Sequence, residues 1–212
     1  MSLPENALLS VFDKEGIVDL AEGLHELGAN IYASGGTARQ VSEAGVPVTD
    51  VAELVGGEAI LEHRVVTLSR EIHAGLLADQ RNDMHVEELE RLGIPLLGLV
   101  CVDMYPLKAA IEEGLDEEAV IEKTDVGGPT MLHSAAKGRR IVLSRQDQRR
   151  TVLEWLQNGQ PDEENVLRTL AAVAEQEVAS YVEQSAKYLG ALALQSAPQS
   201  SYDSMLRQGI RV

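Results

Sequence analysis

Two stretches of the sequence combine hydroxyl side chains with lysine or glycine directly after a predicted strand. "SVFDKEG" places Ser10 at the end of one strand and Lys14 next to the start of the following helix. "SGGT", residues 34–37, joins the next strand to the next helix. Glycines let backbone N–H groups approach an anion at a helix amino terminus, and hydroxyl and ammonium groups add donors. One such loop also fits a simple tight turn, but two after consecutive strands predict phosphate binding.

A third stretch, "HRVVTLSREIHAG", contains Arg64 and Thr67. A guanidinium supplies paired hydrogen-bond donors, so these two residues are candidates to complete an anion clamp. Taken alone, however, the stretch favours a surface arginine beside an edge strand.

The fourth stretch is "TDVGGPTMLHSAAKG", in which Asp125 precedes a Gly-Gly-Pro turn and a helix predicted from about Thr130 carries Lys137. Thr130 and Lys137 are two helical turns apart, so both ends of this segment can face one pocket. A carboxylate and an ammonium there would exchange protons with a substrate and shift each other's pKa. The sequence leaves open the alternative that Asp125 caps the helix and Lys137 is solvated.

Other catalytic and metal-binding patterns are absent from the sequence. The five histidines, at positions 25, 63, 73, 85 and 133, lack the spacing of metal ligands. Cys101 is the single cysteine, which excludes an intrachain disulfide, and the apolar run "LLGLVCV" predicts that its side chain is buried. No dinucleotide fingerprint, Walker-type loop or Gly-x-Ser-x-Gly elbow occurs. We therefore expect neither a metal nor a cofactor.

The elements that must position these residues alternate between short apolar runs and segments of helical periodicity. This alternation is typical of βαβ units on a parallel sheet, in which ligands bind beyond the carboxyl ends of the strands. The predicted strands are 7–11, 30–34, 64–68, 96–105 and 141–144, with an extended segment at 46–51. The predicted helices are 16–28, 36–45, 85–93, 130–137, 147–159 and a long one over 166–194.

The excess of acidic residues limits the kinds of molecule that the protein is expected to bind. The 212 residues include 34 acidic and 18 basic ones, a formal charge of −16. This excess disfavours nucleic acids and anionic membrane surfaces, although a local cationic pocket still admits an anionic small molecule. No segment approaches about 18 uninterrupted apolar residues, and no basic region followed by an apolar stretch opens the chain, which predicts a cytoplasmic protein.

Together, the four stretches resemble the inosine monophosphate (IMP) cyclohydrolase domain of the bifunctional purine-biosynthesis enzyme that also carries a formyltransferase domain. The resemblance covers most of residues 7–189 and includes "VDMYPL". It implies an α/β, methylglyoxal-synthase-like three-layer fold with a mainly parallel sheet and extra C-terminal helices. We expect an α/β domain with the nucleotide site at 1–146, a helical part of the same unit at 147–194 and a tail at 195–212.

The resemblance also implies an activity, the closure of formylated aminoimidazole carboxamide ribotide (FAICAR) to IMP with loss of water, without cofactor or metal. The family is dimeric, so a homodimer is expected, and a separate formyltransferase is one possible source of the substrate. The residues that match the family's catalytic set are Tyr105, Asp125 and Lys137. Those that match its substrate contacts are Ser10, Lys14, Ser34, Gly35, Gly36, Thr37, Arg64, Thr67, Asp103, Val126 and Gly127.

The sequence departs from the family pattern on these same loops. Val66 stands where the family has a catalytic lysine, Ser69-Arg70 replaces His-Pro, and Asp103 replaces an asparagine. Two interpretations remain. Either Arg70 or Arg139 replaces the missing cation in a working cyclohydrolase, or the protein is a catalytically degenerate purine-nucleotide-binding or regulatory protein. A methylglyoxal synthase is disfavoured, because its Gly-Thr-Thr phosphate loop and catalytic Asp–His arrangement are not evident.

Overall fold

The structure is a computed structural model that describes residues 3–62 and 64–196, with side chains as far as residue 193. Its sheet has the order β3-β2-β1-β4-β5, and every neighbouring pair is parallel. This confirms the predicted α/β class. The strands are β1 (Asn6–Ser10), β2 (Asn30–Ala33), β3 (Thr49–Asp50), β4 (Leu99–Val102) and β5 (Ile141–Leu143).

The strands form where short apolar runs are covered on both faces, as expected for a parallel sheet. All four residues of β4 and all three of β5 are buried. β1 lies in the middle, with β2 on one side and β4 on the other. The helices are α1 (Ile17–Glu26), α2 (Gly35–Glu43), α3 (Val51–Leu54), α4 (Arg70–Leu77), α5 (Asp83–Leu92), α6 (Leu107–Glu112), α7 (Glu117–Glu122), α8 (Gly127–Lys137), α9 (Gln148–Gln157) and α10 (Glu163–Ser196).

Three predicted elements differ from the structure, and one of them is the strand predicted at 96–105, of which only Leu99–Val102 is a strand. Residues 64–68 are not a strand, because only Val65 forms a bridge, an isolated antiparallel one to Ile60. A short apolar run is shared by strands and by buried turns, so periodicity alone could not separate them. The helix expected from about Thr130 begins at Gly127, since a proline in the first turn needs no intrahelical partner for its nitrogen.

The described residues form two compact units, one of 3–104 and 126–176 and the other of 105–125 and 177–196. The first unit contains the whole sheet, and the second contains α6, α7 and the carboxyl half of α10. The division predicted at residues 146 and 194 stays a prediction. α10 continues to Ser196, and residues 197–212 of the predicted tail lie outside the described residues.

Within the first unit, α4 and α8 pack closely side by side. A Cβ atom added at Gly138, just after α8, would lie 1.9 Å from the Leu76 carbonyl oxygen of α4. The buried Arg140 side chain donates from Nε to the same Leu76 oxygen at 2.8 Å and from its terminal nitrogen to the Ala78 oxygen. These contacts satisfy carbonyls at the end of α4 that have no partner within the helix.

Candidate functional site

The carboxyl ends of β1, β2 and β4 meet at one edge of the sheet. In the parallel register, Ala33 of β2 and Cys101 of β4 are level with the same residue of β1. Ser10, Ser34 and Asp103 each follow within one or two residues, so the structure brings these three predicted site residues to one edge. This is the edge at which ligands bind in open parallel sheets.

Hydroxyl groups tie the β1–α1 loop (residues 11–16) to the SGGT segment (residues 34–37). The Oγ atoms of Ser10 and Ser34 are 2.7 Å apart. Thr37 Oγ1 accepts from the Val11 N–H and donates to the Val11 oxygen, both at 3.2 Å. Because Thr37 is only 1% exposed, its hydroxyl holds the two loops together from inside. Its predicted contact with substrate stays a prediction.

The two glycines of the SGGT segment have different reasons to be glycine. Gly35 has φ of +42°, in the left-handed region, and an added Cβ would meet nothing within 4 Å, so its backbone conformation is what favours glycine. At Gly36 a Cβ would lie 3.9 Å from Lys14 Cε. The Lys14 side chain therefore lies beside the start of α2, where helix N–H groups and the helix dipole favour an anion.

Lys14 is half-buried, and its ammonium points back into its own loop. Nζ donates to the carbonyl oxygens of Val11 and, at 3.3 Å, of Phe12. Burial lowers the pKa of Lys14 because it disfavours the charged form, and the nearby Asp103 carboxylate partly opposes this effect. The described contacts use two of the three ammonium protons.

Asp103 and Arg149 form a largely buried ion pair that contacts the β1–α1 loop. Asp103 Oδ1 accepts from the backbone N–H groups of Phe12 and, at 3.2 Å, of Asp13, while Oδ2 lies 2.5 Å from a terminal nitrogen of Arg149. Burial raises the pKa of Asp103 in spite of these donors. Arg149, which sequence reasoning missed, is only 3% exposed and lies on α9, far along the chain from the β1–α1 loop.

The stretch around Arg64 contains the predicted anion clamp. Arg64 is exposed. Thr67 is buried, and in the sequence it lies after the Ile60–Val65 bridge and before the start of α4. Val66 is half-buried. The Arg70 guanidinium is 74% exposed and pairs with Glu71 of its own helix at 3.0 Å. Arg70 therefore has a local carboxylate partner.

The predicted residues of α8 lie at opposite ends of the helix. Val126 and Gly127 are at its amino end and Lys137 is its last residue, so about 16 Å of helix axis separates them. α8 leads into β5, and Ile141 N–H donates to the Gly98 oxygen at 3.1 Å, at the edge where the strands begin. The structure therefore does not bring Lys137 to the edge that carries Ser10 and Ser34.

Arg139 lies at this same far end of α8, in a groove of about 530 Å³. Its neighbours are mixed in charge, so the groove is not a cationic pocket. The charged residues that line it are Asp79, Arg81, Arg139, Arg140, Glu163, Glu164 and Arg168.

Two predicted catalytic residues, Tyr105 and Asp125, belong to the second unit. The Tyr105 hydroxyl accepts from Lys123 Nζ at 2.5 Å, and this ammonium lies 4.7 Å from the centre of the tyrosine ring. The backbone N–H of Asp125 donates to the Tyr181 hydroxyl at 2.7 Å. Burial raises the pKa of Tyr181, which the Asp125 N–H partly opposes. Neither Lys123 nor Tyr181 stands out in the sequence, because each is an ordinary residue of a helical segment.

Residues 3–62 and 64–196 contain neither a metal-binding cluster nor a membrane-spanning helix. No group of three or more His, Cys, Asp or Glu side chains in this part of the chain is arranged to hold a metal ion. No helix among the same residues is long and apolar enough to cross a membrane.

The sheet and its loops define an α/β protein of the methylglyoxal-synthase-like type. Residues 16–130 match the family model described as "MGS-like domain", and the chain belongs to this family. The fold expected from the sequence is thereby confirmed.

The chain is also similar to two bacterial purine-biosynthesis proteins and to one protein of known crystal structure. The chain is 45% identical over 136 residues to the bifunctional purine biosynthesis protein PurH of Mycobacterium ulcerans (strain Agy99) and, equally, to that of Mycobacterium marinum (strain ATCC BAA-535 / M). The match covers 64% of this chain and 26% of each relative, so the chain spans about a quarter of their length. The crystal structure of ForH aligns with a TM-score of 0.76 at 35% identity, over 88% of this chain and 97% of that one. The resemblance to the bifunctional protein is thus confirmed.

Proposed function

We propose that this chain catalyses an IMP cyclohydrolase-type ring closure, of FAICAR to IMP with loss of water, in purine biosynthesis. One observation supports it above the others. The β1–α1 loop and the SGGT segment converge at the carboxyl edge of the sheet, with Ser10 and Ser34 oxygens 2.7 Å apart and Lys14 beside Gly36. This arrangement suits the 5′-phosphate of a purine nucleotide, and the similarity to PurH supplies the class of reaction.

Binding of the phosphate would draw on charge and hydrogen bonds together. The two serine hydroxyls turn toward phosphate oxygens, the first N–H groups of α2 donate from the helix terminus, and the Lys14 ammonium adds its positive charge. Arg64 and Thr67 are proposed to complete the nucleotide contacts. Because the whole chain carries a charge of −16, this local set of donors has to overcome repulsion between the protein and its anionic ligand.

The chemical step joins two parts of one substrate. The carboxamide nitrogen attacks the formyl carbon and a carbon–nitrogen bond forms. The former formyl oxygen takes up two protons, one from the carboxamide nitrogen and one from the formamide nitrogen, and leaves as water when its bond to carbon breaks. Holding the two groups in contact supplies much of the rate, and donors to the developing oxyanion supply more. We assign proton transfer to Asp125 and Tyr105, and donation to the oxyanion to backbone N–H groups at Val126 and Gly127.

The positions of the lysines bear on this assignment. Val66 cannot supply a charge. Arg70 is paired with Glu71, and Arg139 lies in a groove of mixed charge at the far end of α8. Lys123, however, donates to the hydroxyl of the proposed catalytic Tyr105 at 2.5 Å. We propose that Lys123 acts on the reaction through Tyr105, because its ammonium donates to the hydroxyl of that residue. Lys137 lies at the far end of α8, so its part in the reaction requires a second copy of the chain, in keeping with the proposed homodimer.

A purine-nucleotide-binding or regulatory protein is the second candidate. Val66 favours it, since loss of an electrostatic donor costs roughly 3 to 4 kcal/mol in acyl chemistry. In this case the phosphate site persists and the ring closure does not occur. The two candidates share a ligand and differ in turnover.

The deciding experiment measures both quantities on one sample. IMP formation from FAICAR is followed by ultraviolet absorbance, and IMP binding is measured by calorimetry. Turnover well above the spontaneous rate supports the enzyme, binding without turnover supports the regulatory protein, and neither binding nor turnover refutes both. Ser34→Ala should weaken IMP binding, whereas Ser42→Ala, an exposed serine further along α2, should not. A separate formyltransferase is the proposed source of the substrate and is tested by adding one to the assay.

A further inference from the structure

The β1–α1 loop is held in place from below by side chains that are remote in sequence. Asp103 accepts from the N–H groups of Phe12 and Asp13, and a terminal nitrogen of Arg149 donates to the Glu15 carbonyl oxygen. The two side chains are themselves paired at 2.5 Å. The pair thus contacts the loop on both sides of Lys14.

The polar atoms of the pair mostly contact other atoms of the protein. Arg149 is 3% exposed and the Asp103 side chain 17%. Both Asp103 oxygens have protein partners, and the Arg149 guanidinium reaches Asp103 and the Glu15 carbonyl. Two other charges face this pair, Lys14 from within the loop and Asp13 at its exposed side. A buried ion pair contributes little net stability as a rule, whereas removal of one partner is strongly destabilising.

We propose that Arg149 and Asp103 are positioning residues, which hold the β1–α1 loop and its Lys14 beside the SGGT segment and the proposed phosphate, and that Asp103 does not itself contact substrate. The proposal rests on the phosphate site of the proposed function. It changes the role expected for Asp103 and adds a residue on α9 to the site. Since the pair links α9 and the segment after β4 to the β1–α1 loop, a change at Arg149 acts on ligand affinity from a distance.

The test is a double-mutant cycle with Arg149→Gln and Asp103→Asn. Each single change leaves a buried charge without its counter-ion, which is costlier than removing both charges. We expect the dissociation constant for IMP to rise about tenfold in each single variant, which corresponds to about 1.4 kcal/mol. In the double variant affinity should return toward the parental value, because neither charge is left without its counter-ion and the asparagine oxygen still accepts from the loop N–H groups.

Matched controls separate positioning from a general loss of stability. Arg150, the next residue on α9, is 90% exposed and pairs with Glu154 one turn along, so Arg150→Gln should leave IMP affinity within about twofold. Arg149→Lys keeps the positive charge beside Asp103, although a lysine reaches fewer of the acceptors that Arg149 contacts. This variant should therefore retain more affinity for IMP than Arg149→Gln. Any loss is expected in KM rather than in kcat, because the pair holds the phosphate loop and not the reacting atoms.

Hydrogen exchange of the Phe12 and Asp13 amides, followed by NMR without ligand, supplies a readout independent of function. Exchange should accelerate in Arg149→Gln and not in Arg150→Gln. Unchanged exchange, or losses of affinity that simply add in the double variant, would overturn the proposal. If the parental protein binds no IMP, the proposed function fails, and the same cycle is run with inorganic phosphate as the probe. Accelerated exchange with weaker phosphate binding then supports positioning, and phosphate affinity that is unaffected by Arg149→Gln refutes it.

Discussion

Replacement of Lys14 by methionine removes the ammonium from the phosphate site while keeping a side chain of similar length. Nζ donates to the Val11 and Phe12 carbonyl oxygens. The Val11 oxygen keeps a second donor, Thr37 Oγ1 at 3.2 Å, so the loop retains its main internal tie. We therefore expect Lys14→Met to lose affinity for IMP without unfolding the protein.

The size of the loss follows from the number of ammonium protons that remain. Two of the three are used inside the loop, which leaves one for a phosphate oxygen. A hydrogen bond to a charged group contributes about 1.5 to 3 kcal/mol, which corresponds to a roughly 10- to 150-fold rise in the dissociation constant. Repulsion by the acidic remainder of the protein places the expected value in the upper part of this range at low salt.

Calorimetric titration with IMP measures this change, with Lys187→Met, an exposed lysine paired with Glu183 on α10, as the control. Burial lowers the pKa of Lys14, so the ammonium loses its proton at a pH below the usual 10.5 and parental affinity should fall there as pH rises. Lys14→Met should lack this alkaline decrease. A dissociation constant within twofold of the parental value, or an unchanged pH profile, would show that Lys14 does not contact the phosphate.

Three further predictions concern packing and catalysis. Gly138→Ala places a Cβ 1.9 Å from a backbone oxygen and should lower the free energy of unfolding by about 3 kcal/mol in chemical denaturation, whereas Gly57→Ala, which meets open space, should be close to neutral. Lys123→Gln should reduce FAICAR turnover at least about tenfold with IMP affinity retained, and the exposed Lys108→Gln should not; equal rates would remove Lys123 from the reaction. Lys137→Ala should abolish turnover and leave IMP affinity within about twofold, since the helix axis separates it from the phosphate loops; parental turnover would exclude it from the catalytic set.

The elements of the sheet could be predicted from the sequence where an apolar run is long enough to be buried on both faces. The runs that became β1, β4 and β5 are of this kind, and all residues of β4 are buried. The helix α5 could be predicted because Asn82 accepts from the Met84 N–H at its start and Gly93 ends it in the left-handed conformation. Local patterns of this sort need no knowledge of distant residues.

The strand predicted at residues 64–68, just before α4, is wrong. The valines at 65 and 66 suggested a strand, yet the structural signal in this stretch is Ser69, whose hydroxyl accepts from the Ile72 N–H and starts a helix. Serine is a preferred N-cap residue, so Ser69 directly before a segment of helical pattern was a recognisable signal for the start of a helix. The strand interpretation competed with it because valine favours strands in general.

The candidate site likewise contains residues that could be predicted from the sequence and residues that could not. The loops that follow β1 and β2 were predictable, because hydroxyl and glycine residues after a strand are a local pattern. Arg149 was not predictable, since the sequence shows only two adjacent arginines on a helix, of which one is buried and the other 90% exposed. Which of the two turns inward depends on how α9 packs, and its partner Asp103 is remote along the chain.

The interruption of the first unit by residues 105–125 has a consequence for folding. β4 is synthesised well before β5, its neighbour in the sheet, because the interrupting residues and α8 come between them. Until β5 emerges, one side of β4 is an open hydrogen-bonding edge of four apolar residues, which is a template for association with another chain. Pairing between distant segments also slows folding. Refolding yield should therefore fall as protein concentration rises, and slow translation between β4 and β5 should favour aggregation.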